Sequence, residues 1–120
     1  MGYVRVRVTI GSADKKKVKE IGFLADTGAF YTTLSRGIAE EMDIKPIAKI
    51  EVVLGDKRVK EVDTSLAYIK ALDREGIFQV AIMEVPEPLL GVSTLEGLGL
   101  KVDPTTGKLE YSRPYGLAII

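Results

Sequence analysis

A carboxylate directly follows an apolar run in the segment Phe23-Leu24-Ala25-Asp26-Thr27-Gly28-Ala29. The apolar run, which begins at Ile21, predicts a buried strand, and Gly28 permits a sharp turn and a close backbone approach. Asp26 is therefore expected to lie half-buried where a strand ends. An Asp-Thr-Gly tripeptide occurs by chance in roughly a few per cent of chains this long, so its meaning depends on the rest of the sequence.

The residues before Asp26 predict a β-hairpin. Apolar residues from Val4 to Ile10 alternate with Arg5, Arg7 and Thr9, which is the period of a half-buried strand. Turn residues follow at 11–14, and Val18 to Ala25 is predicted to return as the second strand. The chain thus enters the Asp26 turn from a paired strand.

The residues after Asp26 predict a short strand, a short helix and a long hairpin. Tyr31 to Leu34 is strand-like, and Ser35 can cap a helix between Arg36 and Asp43. Alternating residues from 50 to 54 and an extended segment from 57 to 72 then flank Gly55-Asp56, which predicts a two-residue hairpin loop with glycine first.

The last third of the chain predicts further strands and a second short helix. A turn at 73–76 leads into a strand at 77–85, and Leu89-Leu90-Gly91 precedes a helix in which Ser93 and Glu96 have capping-box spacing. Residues 100–111 predict a strand, a turn and a strand. The final segment, 116–120, is apolar, and a partner subunit is a natural place to bury it.

The composition excludes several classes of function. The 120 residues predict a single domain, 1–120, and contain neither Cys nor His, so thiolate and imidazole chemistry and their metal sites are ruled out. Seventeen basic residues balance seventeen acidic ones, which disfavours nucleic acid and anionic membranes as partners. With no membrane span and no signal peptide, we expect a cytoplasmic protein with no cofactor and no metal.

Three motifs in order along the chain resemble the retropepsin-like (retroviral-type) aspartic proteases. They are Asp26-Thr27-Gly28-Ala29 after apolar residues, the hairpin tip Leu54-Gly55-Asp56-Lys57, and Leu89-Leu90-Gly91 before a short helix. The likeness extends from Tyr3 to Tyr111. It implies a mainly β fold, with a closed, barrel-like subunit that has one or two short helices and pairs as a two-fold homodimer. Because the sequence has one full Asp-Thr-Gly, a complete site would need two copies of the chain.

The same resemblance implies an aspartic endopeptidase that hydrolyses a peptide or an unfolded protein. Asp26 would be catalytic, because two carboxyl groups held a few Å apart cannot both ionise easily and share a proton. The ionised member would take a proton from a bound water, while the protonated member would polarise the scissile carbonyl. No metal or cofactor takes part in that chemistry.

The resemblance also assigns supporting roles. Thr27 would form a hydrogen bond across the dimer beneath the carboxylates, and Gly28 would let the substrate backbone approach. Three further groups are implied: Ala29 and Phe30 as substrate-binding residues, Leu54, Gly55 and Asp56 as a flap tip that closes over the peptide, and Leu90 and Gly91 as packing against the Asp26 turn.

The sequence departs from the family pattern at two linked positions. Many retroviral members have an acidic residue after Asp-Thr-Gly-Ala and an Arg after the later Gly, and the two side chains pair. Here Phe30 and Val92 occupy these positions, so an apolar contact could replace the ion pair. These departures motivate an alternative, a non-catalytic peptide-binding or assembly module on the same fold. A small β-barrel with an unrelated ligand is a third hypothesis.

Overall fold

The computed structural model describes residues 4–114, which form nine β-strands and two short α-helices. The fold is therefore mainly β. In chain order the elements are β1 (Val4–Ser12), β2 (Val18–Ala25), β3 (Thr32–Leu34), α1 (Arg36–Glu41), β4 (Ala48–Val53), β5 (Val59–Ala71), β6 (Arg74–Ile82), β7 (Leu89–Leu90), α2 (Val92–Leu98), β8 (Leu100–Asp103) and β9 (Lys108–Tyr111).

Seven of these strands form one sheet in the order β1-β2-β7-β3-β6-β5-β4, and β1 also pairs with β5. The predicted first hairpin is confirmed, since β1 and β2 pair antiparallel from Val4 opposite Ala25 to Gly11 opposite Val18. The two-residue strand β7 lies between β2, to which it is parallel, and β3, to which it is antiparallel. This insertion brings the segment around Leu90 next to the end of β2, where Asp26 follows.

The core forms where the apolar faces of the strands meet. Along β1 the apolar side chains Val4, Val6, Val8 and Ile10 are buried and the arginines between them are exposed, as the alternation predicts. The largest fully buried side chains are Phe23, Ile10, Leu34, Ile69, Leu90, Val8, Val80, Thr32 and Thr94. Two members of this set are threonines, Thr32 in β3 and Thr94 in α2.

The two helices begin in different ways. Ser35 caps α1 as predicted, since its hydroxyl accepts a hydrogen bond from the backbone nitrogen of Ile38 at 3.2 Å. The predicted capping box of α2 is wrong, because Gly91 is the N-cap and Ser93 lies inside the helix. The initial N–H groups of α2 instead donate to the chain just after Asp26, so tertiary contacts take the place of a side-chain cap.

The tip of the β4–β5 hairpin differs from the predicted two-residue loop. The backbone nitrogen of Leu54 donates to the carbonyl of Arg58 at 2.8 Å, which leaves three residues in the loop. The left-handed residue is Lys57, with φ of 67°, and not Gly55. A three-residue loop that ends in a left-handed residue is a common alternative to the two-residue turn.

The remaining turns are close to their predicted places. The turn between β5 and β6 is Leu72–Asp73, two residues earlier than the centre of the predicted turn. Strands β8 and β9 lie at the predicted places, and they pair antiparallel. The apolar segment 116–120 lies outside the described residues. Across residues 4–114 we find no helix that is long and apolar enough to cross a membrane.

Candidate active site

Asp26 lies one residue beyond the end of β2 and is half-buried, as the sequence predicts. Three hydrogen bonds fix it. Its backbone nitrogen donates to the carbonyl of Leu90 at 3.0 Å, and its own carbonyl accepts from the nitrogen of Ala29 at 3.0 Å. Its Oδ1 atom accepts from the backbone nitrogen of Gly28 at 2.9 Å. The first two bonds hold the backbone of Asp26 and the third orients its carboxylate, whose Oδ2 atom accepts no hydrogen bond within residues 4–114.

The two residues after Asp26 are exposed and close to its carboxyl group. A Cβ atom on Gly28 would lie 3.2 Å from Oδ1 of Asp26, so a side chain there would crowd the carboxylate. Thr27 is exposed, and its hydroxyl makes no hydrogen bond to any residue from 4 to 114. The side of the turn that carries Thr27 is therefore open.

The segment from Leu90 to Ser93 is joined to the Asp26 turn by a series of hydrogen bonds. Besides the bond from Asp26 to Leu90, the backbone nitrogen of Val92 donates to the carbonyl of Ala29 at 2.8 Å. The nitrogen of Ser93 donates to the carbonyl of Phe30 at 3.0 Å. The segment that contains Leu90 and Gly91 thus lies against the turn and holds the chain on both sides of Gly28.

An open cleft of about 540 Å³ lies between this turn and the β4–β5 hairpin. One wall is Gly28 to Tyr31, the opposite wall is Glu51 to Gly55, and the floor comprises Thr33, Ala81, Met83, Val85 and Leu89. Glu51 is the one charged residue in this lining. A cleft of this size and lining is suited to apolar side chains of an extended peptide.

The cleft contains some of the residues predicted to bind substrate and leaves one out. Ala29, Phe30, Leu54 and Gly55 all line it. Asp56 does not, because its carboxylate is hydrogen-bonded to the side chain of Arg58 at the exposed tip of the hairpin. That Asp56 contacts the substrate stays a prediction.

Phe30 and Val92, the two departures from the family pattern, are linked through the backbone around them. Phe30 is 59% exposed and its ring meets Tyr31 edge to face, with centroids 4.9 Å apart. The hydrogen bonds from Val92 and Ser93 to Ala29 and Phe30 connect the start of α2 to the chain after Gly28. An ion pair between side chains at positions 30 and 92 would join the same two segments. The main chain therefore braces the turn, while the ring of Phe30 is free to face the cleft.

Two other acidic motifs have structural roles. Asp63-Thr64-Ser65, which resembles Asp-Thr-Gly, lies within β5, where Asp63 pairs with Arg36 at 3.1 Å and both hydroxyl residues are buried. Asp103 accepts hydrogen bonds from the hydroxyl and the backbone nitrogen of Thr105, which lower the pKa of its carboxyl group to about 2. Within residues 4–114 there is no group of three or more side chains that could hold a metal ion.

The sequence did not predict a role for Tyr31, Thr32, Thr94 or the floor of the cleft. Thr32 and Thr94 are fully buried, and their hydroxyl oxygens lie 2.6 Å apart although 62 positions separate them in the chain. The one indication of a role for Tyr31 in the sequence is that it directly follows Phe30, which is predicted to bind substrate. No sequence pattern relates Thr32 to Thr94, since their contact depends on how α2 packs against β3.

Comparisons with known proteins identify the family and the fold. A family model described as aspartyl protease matches residues 6–94. Among solved structures, the EIAV protease complexed with the inhibitor HBY-793 is similar, with a TM-score of 0.62, 20% sequence identity, and coverage of 85% of this chain and 93% of that one. A search of curated protein sequences finds no match. At this identity the structural match establishes a retroviral protease-like fold.

Proposed function

Since this chain belongs to the aspartyl protease family, we propose that it is an aspartic endopeptidase whose active site comprises Asp26 from each subunit of a homodimer. One observation carries the proposal: the carboxylate of the half-buried Asp26 accepts a hydrogen bond from the backbone of Gly28, which lines an open cleft. The chain supplies one such carboxylate, and the mechanism needs two. A second copy is the simplest source of the other.

The mechanism follows from two carboxyl groups at close range. They share one proton, so one is ionised and the other neutral in the same pH range. The ionised group removes a proton from a water molecule as the water oxygen attacks the scissile carbonyl carbon. The neutral group donates a hydrogen bond to the carbonyl oxygen. Collapse of the tetrahedral intermediate breaks the C–N bond, and the departing amine takes up the proton that the carboxyl group removed from water.

The remaining assignments form part of the same proposal. Thr27 bonds to its counterpart across the dimer, and the open side of the turn supports that role. Gly28 and Ala29 let the peptide backbone approach, and Leu54 and Gly55 belong to a flap that closes over it. We include in this proposal a closed, barrel-like subunit formed by one domain, which the pairing of β1 with both β2 and β5 supports.

The wild-type protein should release peptides from denatured casein between about pH 3 and 7, with a bell-shaped dependence on pH. At protein concentrations below the dimer dissociation constant, the activity per subunit should rise in proportion to concentration, because dimers alone have both carboxylates. Peptide release across a dilution series gives the activity per subunit, and sedimentation at the same concentrations gives the fraction of dimer. Activity from a species that sediments as a monomer would contradict the dimeric site.

An alternative function uses the same cleft to bind a peptide without catalysis. Phe30 and Val92 motivate a non-catalytic peptide-binding module, in which the two carboxylates never reach a water molecule together. Such a protein would dimerise and bind an unfolded chain without cleaving it. Saturable binding of denatured casein, with no peptide release at any pH in the same range, would favour this alternative.

Phe30 should contribute to substrate affinity. Replacing it in the variant Phe30→Ser removes an exposed aromatic surface from the cleft wall and should lower kcat/KM about tenfold, mainly through KM, because contacts present in both ground and transition states affect binding uniformly. Ile47→Ser is the matched control, since Ile47 is 68% exposed and outside the cleft. Equal losses in both variants would mean that the effect is not specific to the cleft.

A further inference from the structure

The N–H groups of the α2 N-cap and of the first two helical residues donate to the few residues that follow Gly28. Val92 and Ser93 donate to the backbone carbonyls of Ala29 and Phe30. The N-cap residue Gly91 donates to a side chain instead, the Oγ1 atom of Thr32, at 3.0 Å. This hydroxyl is the one side-chain acceptor in the series, so it can be removed while the main chain stays intact.

Thr32 is bonded to a second buried hydroxyl. Its Oγ1 atom lies 2.6 Å from Oγ1 of Thr94 in the first turn of α2, and both side chains are fully buried. A buried polar group that loses its partner retains the full cost of its desolvation. Both threonines therefore do more than occupy volume in the core. Their hydroxyls form a hydrogen bond with each other, and the hydroxyl of Thr32 also accepts one from the backbone nitrogen of Gly91.

The pair is connected to Asp26 by a short path. Thr32 holds the nitrogen of Gly91, and the carbonyl of the preceding residue, Leu90, accepts the hydrogen bond from the nitrogen of Asp26. A shift of Gly91 away from Thr32 moves the Leu90 carbonyl with it, because the two groups belong to the same peptide unit. The position of Asp26 is thus sensitive to a hydroxyl that never meets the substrate.

We propose that Thr32 and Thr94 form a positioning pair that holds the Asp26 carboxylate in its productive place. The inference rests on the proposed peptidase function, which it extends from the catalytic carboxylate to the buried hydroxyls that support it. Misplacement of a catalytic group by about 1 Å can cost up to roughly a hundredfold in rate, so a modest displacement has a measurable effect.

The test is the isosteric variant Thr32→Val, which removes the acceptor of the Gly91 N–H group. We expect kcat to fall about tenfold or more with KM little changed, and the pH profile to shift, because the distance between the carboxylates sets how they share a proton. Thr94→Val leaves the acceptor of Gly91 in place and should have a smaller effect. Thr32→Ser retains the hydroxyl and should restore most of the activity.

The control is Thr64→Val, because Thr64 is also buried and its hydroxyl bonds to the backbone carbonyl of Ala48, away from the Asp26 turn. It should lower stability without changing kcat. An equal loss of kcat in Thr64→Val and Thr32→Val would overturn the inference, because it would show a general loss of stability. Unchanged kcat and pH profile in Thr32→Val would also overturn it.

Amide hydrogen exchange tests the positioning independently of activity. In Thr32→Val the exchange rates at Gly91 and Asp26 should rise about tenfold or more, while those of the β5–β6 core stay as in the wild type. Unchanged exchange at Asp26 would overturn the inference. If the wild-type protein proves inactive, the proposed function fails, and the exchange rates still decide whether this pair positions Asp26.

Discussion

Replacing Asp26 with asparagine should lower kcat by about 10³- to 10⁴-fold and leave the fold unchanged. An amide cannot take a proton from water, and two amides cannot share a proton as two carboxyl groups do. The peptide-release assay on denatured casein at matched protein concentrations measures the loss. Activity within a few-fold of the wild type would refute the proposed mechanism.

The structure explains why this substitution should remove catalysis without disturbing the turn. The bond that Asp26 accepts from the nitrogen of Gly28 uses one carboxyl oxygen, and asparagine retains an oxygen there. Asp43→Asn is the matched control, since Asp43 is exposed, lies outside the cleft and has a left-handed backbone that asparagine adopts readily. The control should keep full activity and the same thermal midpoint.

The same variant also tests the dimer. A tenfold excess of Asp26→Asn protein, equilibrated with wild type, should lower the activity of the wild-type subunits about tenfold, because random pairing puts most of them opposite a substituted subunit. An excess of Asp43→Asn protein should add its own activity instead. If the Asp26→Asn protein leaves wild-type activity unchanged at equilibrium, each subunit works alone and the shared site is wrong.

Local patterns in the sequence predicted most of the elements, because these elements depend on neighbours along the chain. The alternation in β1, the cap of α1 at Ser35 and the turn at Asp26 are all of this kind. The order of three short motifs then indicated the family, although no one of them is specific alone.

The features that the sequence did not predict depend on tertiary contacts. A capping box suggested Ser93 as the start of α2, but the helix starts at Val92, since the N–H groups at its start are satisfied by residues 29 to 32. The left-handed residue in the β4–β5 tip is a lysine, which composition alone would not suggest. The contact between Thr32 and Thr94 depends on packing across 62 positions of the chain.

Replacing Gly91 with alanine should lower the free energy of unfolding by about 3 kcal/mol or more and abolish peptide release. A Cβ atom there would lie 2.6 Å from both the backbone nitrogen of Thr32 and the carbonyl oxygen of Tyr31. These are main-chain atoms of the segment that follows the Asp26 turn, so they cannot rotate away as a side chain could. Alanine tolerates the φ of −86° at this position, so the clash alone causes the effect.

Gly22→Ala provides the control, because Gly22 lies in the adjacent strand β2 and a Cβ atom there would have no neighbour within 4 Å. That variant should be as stable as the wild type or slightly more so, since alanine restricts the unfolded chain. Denaturant unfolding of both variants measures the difference. Equal unfolding midpoints would mean that Gly91 is not in close contact with Tyr31 and Thr32. The main-chain link between α2 and Asp26, on which both the mechanism and the positioning pair depend, would then be wrong.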